Sequence, residues 1–309
     1  MSHSKAECRV LLERMQQDER IVVLAADVAA SCGLGPVGEA FPQRVINVGI
    51  AEQNMLGIAA GLAHEGFLPF THTFSAFSSM RSCEQLRTDI FYNDLNVKVI
   101  GTHGGVSTGP AGSTHFALED MGILRSMPKS RLIVPADDQA AAAMTGEMIS
   151  DPHPLYMRLD RNDLPAVYAP GETFPLGGSH LLTAGSDVAI LAVGSMVSVA
   201  LEAAALLEQR GVHTAVADMY SVKPLDEARA AGLAAECGRI VTLEEHYIIG
   251  GLGSAVAECL AQRGTGHRLL RLGLPDSYPM GGPVEAVRRR AGLTGRQVAD
   301  AVIEWGNKC

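Results

Sequence analysis

The chain predicts an α/β protein of two successive three-layer domains with mainly parallel sheets. Short β-type runs alternate with helical ones almost throughout, and a proline- and glycine-rich stretch interrupts the alternation once, at 162–179. At 309 residues, the sequence is also long enough for two ordinary domains. In order, IVVLAA (21–26), RVINV (44–48), FLPFTHTF (67–74), VKVIGT (97–102), RLIVPA (131–136) and PLYMRL (154–159) read as strands. Helical patterns fall between most of them, near 51–63, 76–92 and 138–150. NDLPAVYAPGETFPLGGS reads as the connection between domains. The first domain is therefore expected at 1–165, a linker at 166–180 and the second domain at 181–309. There DVAILAV (187–193), HTAVADM (213–219), RIVTLEE (239–245) and RLLRLG (268–273) resume the strand pattern, each followed by a helix or loop.

Composition narrows the class. A net charge of −9 without a basic stretch argues against nucleic acid as the main partner. No stretch has the length and apolarity of a membrane span, the run at 188–197 being too short, and MSHSKAECR lacks an apolar signal region. Cysteines at 8, 32, 83, 237, 259 and 309 form no CxxC pair and no metal-spaced cluster. Reduced thiols in a cytoplasmic protein are the simplest account.

INVGIAEQNMLGIAAG (46–61) reads as a helix start, with Asn47 as its N-cap and Met55, Leu56, Ala59 and Leu62 on one stripe. Glu52 falls on that same stripe, so the packed face carries a carboxylate. An acid in a helix's first turn is favoured by the macrodipole in any case. Position adds to this. In open α/β sheets, ligand residues gather in loops beyond the carboxyl ends of strands. The turns after residues 26, 48, 74 and 102 bear Asp27, Glu52, Phe74 with Phe77, and His103.

THGGVSTGPAGSTHFALED (102–120) is a glycine-rich loop with histidines near both ends, and a helix is expected to leave it near Thr114. Glycines allow close approach of backbone to a ligand, and histidines can donate hydrogen bonds or move protons near neutral pH. Phe74 and Phe77 are either core aromatics or platforms for a flat heteroaromatic ring. Gly251-x-Gly253 lacks the third glycine of a dinucleotide fingerprint and reads better as a close helix–strand turn.

Taken together and in order, GIAEQNMLGIAAGLA, THTFSAF, THGG…GSTHFALED and VPADD resemble the pyrimidine-binding domain of transketolase-type thiamine diphosphate enzymes. VGSMVSVALEAA, SVKPLDE, LEEHYIIGGLGSAVAE and LGLPDSYP resemble the transketolase C-terminal domain that follows it. The resemblance covers nearly the whole chain. It implies a thiamine diphosphate-binding fold and gives Glu52 a task, a hydrogen bond to N1′ of the aminopyrimidine. A carboxyl group in a dry pocket has a raised pKa and can share a proton with that nitrogen, favouring the imino tautomer that deprotonates C2 of the thiazolium. The resemblance further implies that Phe77, and less directly Phe74, pack on the pyrimidine, and that Asp27 lies near the thiazolium. Arg9, Ser31, His103 and Arg161 fall where the family binds the sugar-phosphate end. His115 falls where it contacts substrate hydroxyls near the reacting carbons.

Two departures bear on the donor sugar: Ala111 stands where an aspartate is common, and Phe116 where glutamine is frequent. A third is an absence. No GDG motif occurs to hold Mg2+ and the cofactor's diphosphate. The chain thus resembles the C-terminal half of a split transketolase that moves a two-carbon ketol unit between sugars. A separate N-terminal subunit would hold the diphosphate and Mg2+ in an α2β2 assembly acting on sugar phosphates. The alternatives are a subunit like 1-deoxyxylulose-5-phosphate synthase or a 2-oxoacid dehydrogenase beta subunit, and a non-catalytic half that scaffolds or regulates a transketolase.

Overall fold

The computed structural model describes residues 1–264 and 267–307. The first six strands are β1 (Ile21–Ala25), β2 (Val45–Asn47), β3 (Leu68–Phe74), β4 (Lys98–Thr102), β5 (Leu132–Ile133) and β6 (Leu155–Arg158). The rest are β7 (His180–Thr183), β8 (Val188–Ala192), β9 (Thr214–Asp218), β10 (Ser221–Lys223), β11 (Arg239–Tyr247) and β12 (Arg268–Leu274). Two sheets result, ordered β10-β5-β6-β4-β3-β1-β2 and β12-β11-β8-β9-β7. All pairs are parallel except β10 with β5 and β7 with β9.

The apolar strands are continuous rather than alternating because both faces are covered. Ile21, Val23 and Ala25 of β1 point into one apolar cluster and Val22 and Leu24 into another. The second sheet divides the same way: Val188, Ile190 and Ala192 join the first cluster, Ala189 and Leu191 the second. Each cluster therefore runs through both domains. The helices His3–Met15 and Asp138–Ser150 close one face of the first sheet with Leu11, Met15, Met144 and Met148. Glu52–His64 closes the other with Met55, Leu56 and Ala59.

Several local expectations need correction. Asn47 is not the N-cap: the helix starts at Glu52 behind Ala51, and the Asn47 side chain braces Asp27 instead. The helix expected over 76–92 is wound as wide π turns at Phe77–Arg81 and Leu86–Phe91 around one α turn at Cys83–Gln85. No helix leaves the glycine loop near Thr114, because Gly105 and Ala117 pair across it and fold it back on itself. The helix begins at Asp120. Two short strands were not anticipated. β7 takes up His180, the last residue of the expected linker, and β10 crosses from the second domain to pair with β5.

The linker itself is pinned. Tyr168 and Phe174 are buried, the Tyr168 hydroxyl donates to Asp218 at 2.6 Å, and the Val167 and Tyr168 amides donate to Asp137 at 2.7 and 2.8 Å. Burial pushes the Asp218 carboxyl up to about 8. Cys8, Cys32, Cys83, Cys237 and Cys259 are free thiols, and Cys309 lies outside the described residues.

Candidate active site

Parallel strands present their carboxyl ends along one rim. Across β6, β4, β3, β1 and β2, that rim successively carries Arg161, His103, Phe74, Asp27 and Glu52. The rings meet there. Phe74 stacks on His103 with centroids 4.0 Å apart, Phe77 lies 5.7 Å from Phe74, and His115 stands edge-on to Phe77 at 5.4 Å. His103 has a φ of +60°, a strained value for a side-chain-bearing residue, and its Nδ1 lies 3.0 Å from the Thr102 hydroxyl. Burial first, then the charges of Arg161 and His115, lowers its pKa to about 4. His103 is thus a neutral hydrogen-bonding group at pH 7, and Arg161, exposed on the same rim, supplies the positive charge.

Glu52 is only 2% exposed at the base of this cluster. Arg81 places Nη1 2.8 Å from each of its carboxylate oxygens, and the same guanidinium lies 4.2 Å over the Phe77 ring centroid. The dry pocket implied by the resemblance is therefore occupied by a cationic partner, which the sequence reading missed. Phe77 and Arg81 are four residues apart, a helical spacing that hinted at a shared face.

The other candidates are less gathered. Asp27, exposed and at φ +61°, is cross-braced to Asn47 through both its amide and its carboxylate. Ser31 is exposed beside Cys32, whose sulfur lies 3.3 Å from the Thr102 hydroxyl. Arg9 is exposed on its helix, and among the described residues no hydrogen bond or ring contact ties it to the cluster. Ala111 is exposed in the single turn Gly109–Ala111. Phe116 is buried in the core, so its side chain packs rather than facing the rim.

The second domain holds the glycine loop, again through residues not singled out from sequence. Glu245 on β11 accepts from the Val106 amide at 2.8 Å and from Arg288 Nε at 2.5 Å. Arg158 donates to Asp120 at 2.7 Å and to the carbonyls of Ala117 and Glu245 at 2.8 and 3.0 Å. A side chain at Gly105, where φ is +64°, would put its Cβ 2.2 Å from Glu245 Oε1. That glycine lets a carboxylate of the second domain touch the loop backbone. Gly251 does the same elsewhere: Glu244, not a dinucleotide, caps the helix Leu252–Gln262 by accepting from the Leu252 and Gly253 amides.

Residues 1–167 match the family model of the transketolase pyrimidine binding domain, and residues 177–298 match that of the transketolase C-terminal domain. The chain belongs to the transketolase family. A 6-deoxy-6-sulfo-D-fructose transketolase subunit of a Clostridium species (strain MSTE9) is 39% identical over 295 residues, covering 96% of this chain and 91% of its own. An apulose-4-phosphate transketolase subunit from Phocaeicola vulgatus is 34% identical over 314 residues, the full length of both chains. A solved structure, described as a split gene transketolase in an inactive beta4 tetramer, superposes with a TM-score of 0.89. It is 39% identical, with 98% of this chain and 97% of that one covered. In this transketolase chain, a buried carboxylate beside an aromatic face fits the pyrimidine end of the family's cofactor. Among the described residues no group of three or more His, Cys, Asp or Glu side chains could hold a metal ion.

Proposed function

We propose that this chain is the C-terminal subunit of a heteromeric transketolase that moves a two-carbon ketol unit from an anionic ketose to an aldose. The observation that carries this reading is Glu52, desolvated beside Phe77 on the rim that also bears His103, His115 and Arg161. Bound thiamine diphosphate supplies the nucleophilic carbon and electron sink that side chains lack. Glu52 holds and moves the proton at N1′, while Phe77, backed by Phe74, gives the pyrimidine its stacking face. Asp27 would be the acid near the thiazolium. His115 hydrogen-bonds substrate hydroxyls near the reacting carbons, and neutral His103 hydrogen-bonds further along the sugar. Arg161, with Ser31 and Arg9 as weaker candidates, receives the distal anion. The related proteins named for a sulfonated and a phosphorylated sugar both support an anionic donor. Ala111 leaves the donor site without the family's usual carboxylate, which relaxes discrimination at one donor hydroxyl.

The diphosphate and Mg2+ belong, in this reading, to a partner N-terminal subunit, and two copies of each chain form an α2β2 enzyme. The tetramer formed by the related split-gene chain supports self-association. The cytoplasm is the proposed compartment, in keeping with five free cysteines and the absence of any described helix long and apolar enough to cross a membrane. The test is turnover of this chain with and without a partner that carries a GDG motif. Mixing should create transketolase activity, and robust magnesium-dependent activity from the chain alone would refute the reading.

A further inference from the structure

The pyrimidine pocket is filled from within. Arg81 ends the wide turn Phe77–Arg81, and its guanidinium both lies over Phe77 and bonds both oxygens of Glu52. Those are the two groups assigned to the aminopyrimidine above. A guanidinium is flat, delocalised and edged with N–H donors, so it reproduces the two recognition features of an aminopyrimidine: a face to stack and an edge to bond a carboxylate. A pyrimidine stacked on the face of Phe77 that Arg81 covers would have to displace the guanidinium from it.

We propose that Arg81 is a resident stand-in for the cofactor's pyrimidine, held on Glu52 and Phe77 until the cofactor displaces it. The proposal rests on the reading that Glu52 and Phe77 receive the pyrimidine. Exposure sets which partner moves. The Glu52 side chain is 2% exposed and fixed on its helix, whereas that of Arg81 is 45% exposed and has a path to solvent. The arrangement answers a physical need, because among the described residues no other group hydrogen-bonds the Glu52 carboxylate. Without Arg81 the empty subunit would bury an unpaired carboxylate. The same contact opposes loading, since the cofactor must break an ion pair and a cation–π contact before it can bind. Arg81 therefore lowers cofactor affinity while keeping the empty site intact.

The test is calorimetric titration of thiamine diphosphate, with magnesium, into the reconstituted two-subunit enzyme. Arg81→Met keeps an unbranched apolar stem but removes the guanidinium, and its Kd should be roughly tenfold tighter than wild type. Added methylguanidinium should refill the slot in Arg81→Met and raise the apparent Kd again, with little effect on wild type. An equal or weaker Kd in Arg81→Met overturns the proposal. If that variant fails to assemble, Arg81→Lys retains a charge for Glu52 but cannot lie flat on Phe77. It should bind several-fold tighter, and an unchanged or weaker Kd overturns the proposal equally. Glu52→Gln and Phe77→Ala separate the two levels. If both leave cofactor affinity unchanged, the pocket assignment itself falls; if they weaken it while Arg81→Met changes nothing, only the role of Arg81 falls.

Discussion

Replacing Glu245 with glutamine keeps the side chain's size and removes its charge, where that charge faces two groups at once. Oε2 holds Arg288, whose side chain is 10% exposed, and Oε1 holds the Val106 amide of the glycine loop. Breaking a buried ion pair by altering one partner costs about 3–5 kcal/mol, and glutamine recovers part of that as a neutral hydrogen bond. Global stability should therefore fall by about 2–3 kcal/mol. The loop should feel a smaller part. Its amide exchanges a charge-assisted bond for a neutral one, a loss of about 1 kcal/mol, or roughly fivefold in the ratio of held to released loop. The expected outcome is a lower urea midpoint, faster hydrogen exchange at Val106 and Ser107, and kcat/KM lowered by at most about fivefold in the reconstituted enzyme. Thiamine diphosphate affinity should stay unchanged, because the groups altered do not touch Glu52 or Phe77. Arg288→Met in the same chain should recover only part of that stability, because Arg288 also lies 3.7 Å from buried Asp160, and it should not restore loop protection. Loss of stability with unchanged exchange and unchanged kcat/KM would show that Glu245 merely packs the domain interface and does not position the loop.

Glu52→Gln should leave the fold intact and slow exchange of the cofactor's C2 proton by about 10²–10⁴-fold, the usual range for lost acid–base function. Wild-type exchange in the reconstituted complex would remove Glu52 from that role. Arg161→Ala should weaken capture of an anionic donor by about 1.5–3 kcal/mol, read as kcat/KM, with little effect on an uncharged donor; equal losses for both would count against an anion contact. Asp218 supplies a pH dependence. Its folded pKa is raised to about 8 by burial, so the folded state retains a proton that the unfolded chain releases near 4. Its contribution to stability should thus decline as pH rises from about 4 to 8, by at most about 1.4 kcal/mol per unit. Asp218→Asn should flatten that part of the unfolding profile, and an unchanged slope in chemical denaturation would place the titration elsewhere.

The fold was legible where local pattern and tertiary demand agree. Runs such as IVVLA and VAILA are apolar at every position because both faces of their sheets are covered. It was illegible where a partner distant in sequence decides. SVK is no strand by its own composition, and it pairs only because β5 offers it an edge. Asn47 has the chemistry of an N-cap, yet the turn after β1 claims its side chain. The site divides in the same way. Residues just beyond strand ends could be singled out because parallel topology gathers them on one rim. Glu245 could not, since its link to Val106 spans 139 residues and depends on how the second domain docks. Arg81 lay within reach of the motif, but its sequence context resembles that of any solvated helix charge, and only the fold places Glu52 beneath it.

The crossing of β10 onto β5 means that the two family domains are not separable units. Lys223 at the end of β10 donates to the carbonyls of Arg125 and Met127 and to the Ser130 hydroxyl, sealing the edge from the outside. A fragment cut near residue 167 would strip that edge bare. It would also leave the faces of both apolar clusters half exposed, because each is completed by residues beyond 187. Bare strand edges and open apolar faces promote self-association. The first domain expressed by itself should aggregate rather than bind cofactor, and chimaeras between related subunits should survive only when the whole chain is exchanged as a single piece.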